Sequence, residues 1–199
     1  MKKLFAEKSN MIFKLFIYQF AMSLLGLYVS SPFEGGTLIL AGIFSVLFFF
    51  SLVTYAIIED GQKDHISASA GRIEGSKFTG FKYALVSYIP AIFFVLLNCA
   101  LNLFATDGSF GTIKFLIDII VRFFFMGMYL GINAGLTNYT YDPVLQASVS
   151  DAPEWIRYLC DNGITFVIFL VLYPIVSGVA YALAYNGKIH INTQTKKQK

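Results

Sequence analysis

Charge is scarce in this chain of 199 residues: only 14% are Asp, Glu, Lys or Arg, about half the share of a soluble globular domain. Histidine and cysteine occur twice each and tryptophan once. His65 and His190 have no second ligand at helical spacing, so no metal centre is expected. Cys99 and Cys160 lie far apart, and Cys99 falls in an apolar run, where a cysteine packs as a small hydrophobe; no disulfide is expected. A Gly-rich phosphate loop, a nucleophile elbow and a His-Glu-x-x-His zinc motif are all missing. The expectation is therefore a protein that is not an enzyme, with no catalytic residue, no metal and no cofactor.

What the chain has instead is apolar length. Apolar residues make up 56% and aromatics 17%, more than one water-soluble core of this size can bury. They are gathered into runs of about 20 residues, the length of a membrane-crossing helix. The runs are Met11 to Val29, Thr37 to Ile58, about Tyr83 to Phe104, about Thr112 to Leu136, and Gly163 to Tyr185. Continuous apolar character, without alternation of period two, makes them helices and not barrel strands. The expected fold is an all-α integral membrane helical bundle of about five transmembrane helices, with four to six open. It forms a single polytopic domain over 1–199.

Lys2, Lys3 and Lys8 before an apolar stretch also fit the basic region of a secretory signal. The stretch is longer than a signal core and is interrupted by Lys14 and Gln19, which favours an uncleaved first span. Lys and Arg then orient the chain. The amino terminus and the 59–82 loop, with Lys63, Arg72, Lys77 and Lys82, are expected in the cytoplasm of a multi-pass plasma-membrane protein. The tail carries Lys188, Lys196, Lys197 and Lys199, which asks for the same side, whereas five crossings put it on the other. Either the fourth run does not cross fully, its first half lying in the interface, or the tail is an exception to the charge rule.

The Thr137 to Asn162 loop is acidic. Within it Asp151-Ala152-Pro153-Glu154 reads as an acidic cap with proline in the first turn, starting a short interfacial helix through about Leu159. Trp155 and Tyr158 would sit at headgroup depth. Asn138-Tyr139-Thr140 fits a glycosylation pattern, which arises often by chance.

Two runs carry candidate polar sites. In the third, Ser87, Asn98 and Asn102 share a face, as interhelical hydrogen bonds or as part of a solute path. Pro90 and Pro174 are expected to kink the third and fifth runs. In the fourth, Lys114, Asp118, Arg122, Tyr129 and Asn133 project within a sector of roughly 100° on a straight helix. Gly127, Gly131 and Gly135 then lie opposite, a groove for close approach by another helix within the bundle or across a dimer. Asp118 precedes Arg122 by one turn, a pairing geometry that makes two charges tolerable inside a bundle or at a wet cleft near Asn98 or Asn102. The pair reads either as packing or as an anion-binding or gating group.

Gly61-Gln62-Lys63-Asp64-His65-Ile66 with Gly71-Arg72, Met128-Tyr129-Leu130-Gly131-Ile132, and the Pro174 to Gly187 ending before a basic tail resemble uncharacterised small multipass membrane proteins of Gram-positive bacteria. The resemblance covers most of the chain. It implies a bacterial plasma-membrane protein and adds no site. Three functional readings stand: a transport-related component with a polar path between the third and fourth helices, a scaffold packing through the glycine-lined helix and, a distant third for want of a nucleophile, base or metal set, a membrane-embedded enzyme. The expected partners are the lipid bilayer and a homo-oligomer or membrane partner subunit, not nucleic acid.

Overall fold

The computed structural model describes residues 2–72, 76–104, 110–142 and 147–189. They form an all-α bundle with one small hairpin. In chain order the elements are α1 (Lys2–Ser30), α2 (Gly35–Ser69), α3 (Thr79–Ser87), α4 (Ile89–Phe104), α5 (Gly111–Ile120), a π-helical turn (Val121–Phe125) and α6 (Gly127–Thr137). There follow β1 (Tyr139–Asp142), β2 (Ala147–Ser150), α7 (Glu154–Asp161) and α8 (Ile164–Tyr185).

The bundle's outside is as apolar as its inside. Phe13, Phe44, Leu47, Phe93 and Ile168 are all more than half exposed. A belt of this size in water is a strong penalty, and in hydrocarbon it is the ordinary surface of a membrane helix. The chain is an integral membrane protein.

Two sets of contacts define its ends. At one, which we call the hairpin end, Ser30, Gly35 and Thr137 lie together with the β1–β2 hairpin: a Cβ on Gly131 would lie 2.6 Å from Ser30 Oγ, and one on Gly135 would lie 3.4 Å from the Gly35 carbonyl. At the other, the tail end, Lys8 meets Asp60 and Asp64, and His65 Nδ1–H donates to the Tyr185 carbonyl at 2.6 Å. Gln62 Nε2 donates to Ile189 at 3.1 Å, so the start of the basic tail lies at the same end as Lys8. The charge pattern and the course of the chain no longer conflict.

The reason is the fourth run. It is not one straight helix from Thr112 to Leu136: the axes of Gly111–Phe125 and Gly127–Thr137 are bent by 115° at Met126. At about 1.5 Å per residue the two arms measure roughly 22 and 16 Å, each short of a layer about 30 Å thick. α5 descends beside α4, with Asn98 at Asp118 and Phe94 stacked on Phe125 at 5.7 Å. α6 then climbs back along α1, from Ser23 at Gly127 to Ser30 at Gly131. The pair enters and leaves at the hairpin end. Among the described residues the candidate crossings in this arrangement are α1, α2, α3–α4 and α8, within the three to five that length and composition allow.

Three further boundaries differ from expectation. α2 stays helical through Ser69, so the first half of the expected 59–82 loop is helix. Its 35 residues span about 52 Å, enough to carry Glu59 to Ser69 beyond the apolar layer. α3 and α4 meet at a 55° bend beside Pro90, whereas Pro174 sits inside a continuous α8. α7 begins at Glu154 with Pro153 as its boundary residue, and Asp151 does not cap it. The 137–162 segment also holds the hairpin, with Tyr139 opposite Ser150. Asn138 adopts the left-handed conformation (φ 43°) that ends α6, a position asparagine tolerates. Tyr139 OH donates to Asp161 Oδ2 at 2.6 Å, which ties the hairpin to α7 and raises the pKa of that hydroxyl.

Candidate functional site

The re-entrant turn sets the site. Its backbone cannot be left bare at membrane depth, because each unsatisfied group there costs several kcal/mol. Met126 N–H reaches back five residues to the Val121 carbonyl at 2.8 Å. Ser23, fully buried on α1, supplies the rest: its Oγ accepts from Gly127 N–H at 2.6 Å and donates to the Arg122 carbonyl at 3.3 Å. Since Ser23 lies seven residues before Ser30, the turn sits about 10 Å below the hairpin end. Single π-helical turns of this kind collect at functional positions. Ser23→Ala leaves the Gly127 N–H without its acceptor and is expected to cost about 1–3 kcal/mol, read as a lower melting temperature in detergent; a melt equal to the parent's would show that the turn does not depend on this contact.

On the descending arm, Arg122 Nε lies 2.6 Å from Asp118 Oδ2, and Asn98 Nδ2 donates to Asp118 Oδ1 at 3.4 Å. Arg122 keeps 43% of its side-chain exposure and Asp118 keeps 28%, whereas Asn98 is 1% exposed. The pair thus stands at the flank of the bundle with its polar face turned inward to Asn98. Asn98 Oδ1 is buried with no partner among the described residues. Asn102, one turn nearer the hairpin end, is half-buried, and so is Lys114.

Tyr129 and Asn133 are not on this face. They follow the bend, so the single polar sector expected for a straight helix does not form. Asn133 is buried and its Oδ1 accepts from Thr165 Oγ1 at 2.8 Å. The start of α8 lies between α6 and α4, since a Cβ on Gly163 would lie 3.5 Å from Asn98 Nδ2. Tyr129 goes deeper, stacking on Phe169 at 4.0 Å with its hydroxyl unpartnered among the described residues. Near it Tyr88 stacks on Tyr173 at 3.9 Å, and Ser87 meets Tyr173 OH at 3.3 Å. Tyr88 OH, Ser177 Oγ and both amide atoms of Gln19 are buried without partners among the described residues. A polar interior therefore continues inward from the turn.

Gly127, Gly131 and Gly135 lie within α6 and pack inside the bundle. A Cβ on Gly131 would sit 2.8 Å from Gly42 Cα, and one on Gly127 would strike the Ser23 backbone. Their groove is filled by α1 and α2 of the same chain.

A second polar cluster was not anticipated from the sequence. Lys8, Asp60, Asp64 and Tyr181 meet at the tail end from positions 52 to 117 residues apart. The available signal was the one-turn spacing of Asp60 and Asp64 at the end of the longest apolar helix. No group of three or more His, Cys, Asp or Glu side chains suited to a metal ion is found among the described residues. Comparison of the chain with models of protein families, with curated proteins and with solved structures yields no match.

Proposed function

We propose that this chain is a transport-related component of a bacterial plasma membrane, not an enzyme, which holds a small polar solute carrying an anionic group. The observation behind this reading is the re-entrant turn, which carries Asp118 and Arg122 to the lip of a polar interior. Reversing a helix at membrane depth requires Ser23 and a π-helical turn, and a purely structural helix has no need of it. Arg122 keeps 43% of its side-chain exposure at the flank of the bundle, and in this reading that face is where the solute's anionic group meets the guanidinium. Asn98 and Asn133 lie beyond it, then the hydroxyls of Tyr129, Tyr88 and Tyr173. Such a series offers hydrogen bonds at each step and no second fixed charge to trap the solute. The amino terminus and residues 59–82 face the cytoplasm in this reading, as the Lys and Arg distribution asks.

The scaffold reading loses ground because the glycine-lined face is already occupied by α1 and α2. The two are separated by melting the purified protein in nanodiscs with a panel of small carboxylates, amino acids and phosphate esters. At least one class is expected to raise the melting temperature, and Arg122→Gln is expected to remove that rise. Indifference to every solute, together with a stoichiometric co-purifying protein, would favour the scaffold.

A further inference from the structure

The polar interior does not stop at Tyr173. Thr165, Phe169, Tyr173, Ser177 and Tyr181 follow one another at four-residue spacing and form one ridge of α8, about 24 Å long. Four of these rungs meet a group from another helix. Thr165 donates to Asn133 at 2.8 Å, Phe169 stacks on Tyr129 at 4.0 Å, Tyr173 OH meets Ser87 at 3.3 Å, and Tyr181 OH donates to Asp64 Oδ2 at 2.5 Å. Ser177 is the exception: it is fully buried, and its Oγ has no partner among the described residues. A buried helical serine can close on the carbonyl one turn back, as Ser45 does on Ala41 at 2.9 Å. Ser177 does not, and a hydroxyl in that state at membrane depth calls for water or a polar solute as its partner.

At the tail end the ridge runs into a contact that ties three helices together. Lys8 Nζ on α1 donates to Asp60 Oδ2 and to the Asp64 carboxylate on α2, both at 2.8 Å, and Tyr181 brings in α8. Tyr181 is fully buried, and the Lys8, Asp60 and Asp64 side chains are 13 to 19% exposed. Two features let the contact part. α1 kinks at Lys8 (φ −118°, ψ 16°), and a cavity of about 190 Å³ between Lys14 and Asp60 leaves room for a released ammonium. Around that cavity Glu59, Asp60 and Asp64 are matched by Lys8, Lys14 and Lys63. The contact is therefore balanced, and no net negative charge at this mouth turns an anion away.

We propose that the solute passage continues along this ridge past Ser177 to the tail end, and that Lys8, Asp64 and Tyr181 form its latch, shut in this structure. Ser177 supplies the hydrogen bond between the Tyr173 rung and the latch. Arg122 is exposed at one end while Lys8 closes the other, which is one half of an alternating cycle. Release of Lys8 on its flexible stem frees α2 and α8 from α1 and opens the other half. The inference rests on the solute reading of the α5–α6 turn for the hairpin half of the passage, and its test reads the tail half alone.

The test follows Ser177→Cys in a full-length chain lacking Cys99 and Cys160, held in nanodiscs so that a small charged thiol reagent reaches both faces. With the latch intact the cysteine is expected to react slowly, and with Lys8→Met added several-fold faster. Lys8→Arg, which keeps the charge, should leave the rate slow. Tyr181→Phe removes one hydroxyl and keeps the ring; it should also speed the reaction, and it carries the test if Lys8→Met does not fold. Leu15→Cys, fully buried on α1 and off the ridge, is the control and should stay slow in every background. A Ser177→Cys rate that is the same in all backgrounds, or a Leu15→Cys rate that rises in step with it, would overturn the latch. Expected rates with no solute raising the melting temperature would keep the passage and remove its anionic cargo. A solute-dependent melt lost in Arg122→Gln, with Ser177→Cys unmoved, would keep the site at the turn and remove the latch.

Discussion

Gly131→Leu is expected to leave no folded protein. Gly131 and Gly42 are the point at which α6 and α2 touch backbone to backbone: a Cβ at 131 would fall 2.8 Å from Gly42 Cα and 2.9 Å from its nitrogen, and one at 42 would fall 2.8 Å from the Gly131 carbonyl carbon. Neither contact is with the end of a flexible side chain, so nothing nearby can rotate aside. α6 cannot retreat either, because Gly26 meets Met128 and Gly127 meets Ser23 along its seam with α1. Separating the helices also removes the Ser23 hydrogen bonds that cover the turn. Two mechanisms with large individual effects act together, so the loss is expected to exceed about 4–5 kcal/mol. Ala134→Leu, on the exposed side of the same helix, is the control and should change stability by no more than about 0.5 kcal/mol. The readout is size-exclusion profile and melting of the detergent-extracted proteins; a monodisperse Gly131→Leu protein melting like the control would mean that the α2–α6 seam is not as close as it stands here.

These glycines also mark the limit of what the sequence discloses. Their four-residue spacing falls wholly inside α6, so projection on a helical wheel places them correctly. The polar series from Lys114 to Asn133 runs across Met126, and the same projection put side chains together that the 115° bend separates. The only local sign of that bend is Gly127, which the glycine spacing already explains as packing. Phe123, Phe124, Phe125 and Met126 contain no proline or glycine, and helix propensity would carry straight through them. The break comes from α1, where a serine about a hundred positions earlier satisfies the opened backbone. The apolar runs are legible because span length and hydropathy are local properties. Pro90 is legible as a kink for the same reason, and the 55° bend lies beside it. The Lys8 cluster is a meeting of distant residues that no local pattern encodes.

The remaining prediction concerns sidedness, where the outcome is all or none. Single cysteines at Thr112 and Asn138, in a chain lacking Cys99 and Cys160, are expected to react with an impermeant reagent from the same face as a cysteine at Phe33. Cysteines at Ser76 and Gly187 should react only from the opposite face. A straight fourth span would put Thr112 and Asn138 on opposite sides, and would carry the tail across with the latter. In the re-entrant arrangement both lie at the hairpin end: Asn138 directly follows the Thr137 terminus of α6, and α5 runs antiparallel to α4 from just beyond Phe104. The tail end collects Lys8, Lys63, Arg72, Lys77, Lys82 and Lys188 with Glu59, Asp60 and Asp64, whereas the hairpin end has Glu34, Asp142, Asp151, Glu154 and Asp161 against Lys114 and Arg157. That asymmetry predicts which face is which. In intact cells Thr112, Asn138 and Phe33 positions should label from outside, and Ser76 and Gly187 only after the membrane is opened. Labelling of Thr112 and Asn138 from opposite faces would remove the re-entrant turn and the solute site built on it, whereas a uniform inversion of all five positions would keep the fold and reverse only its orientation.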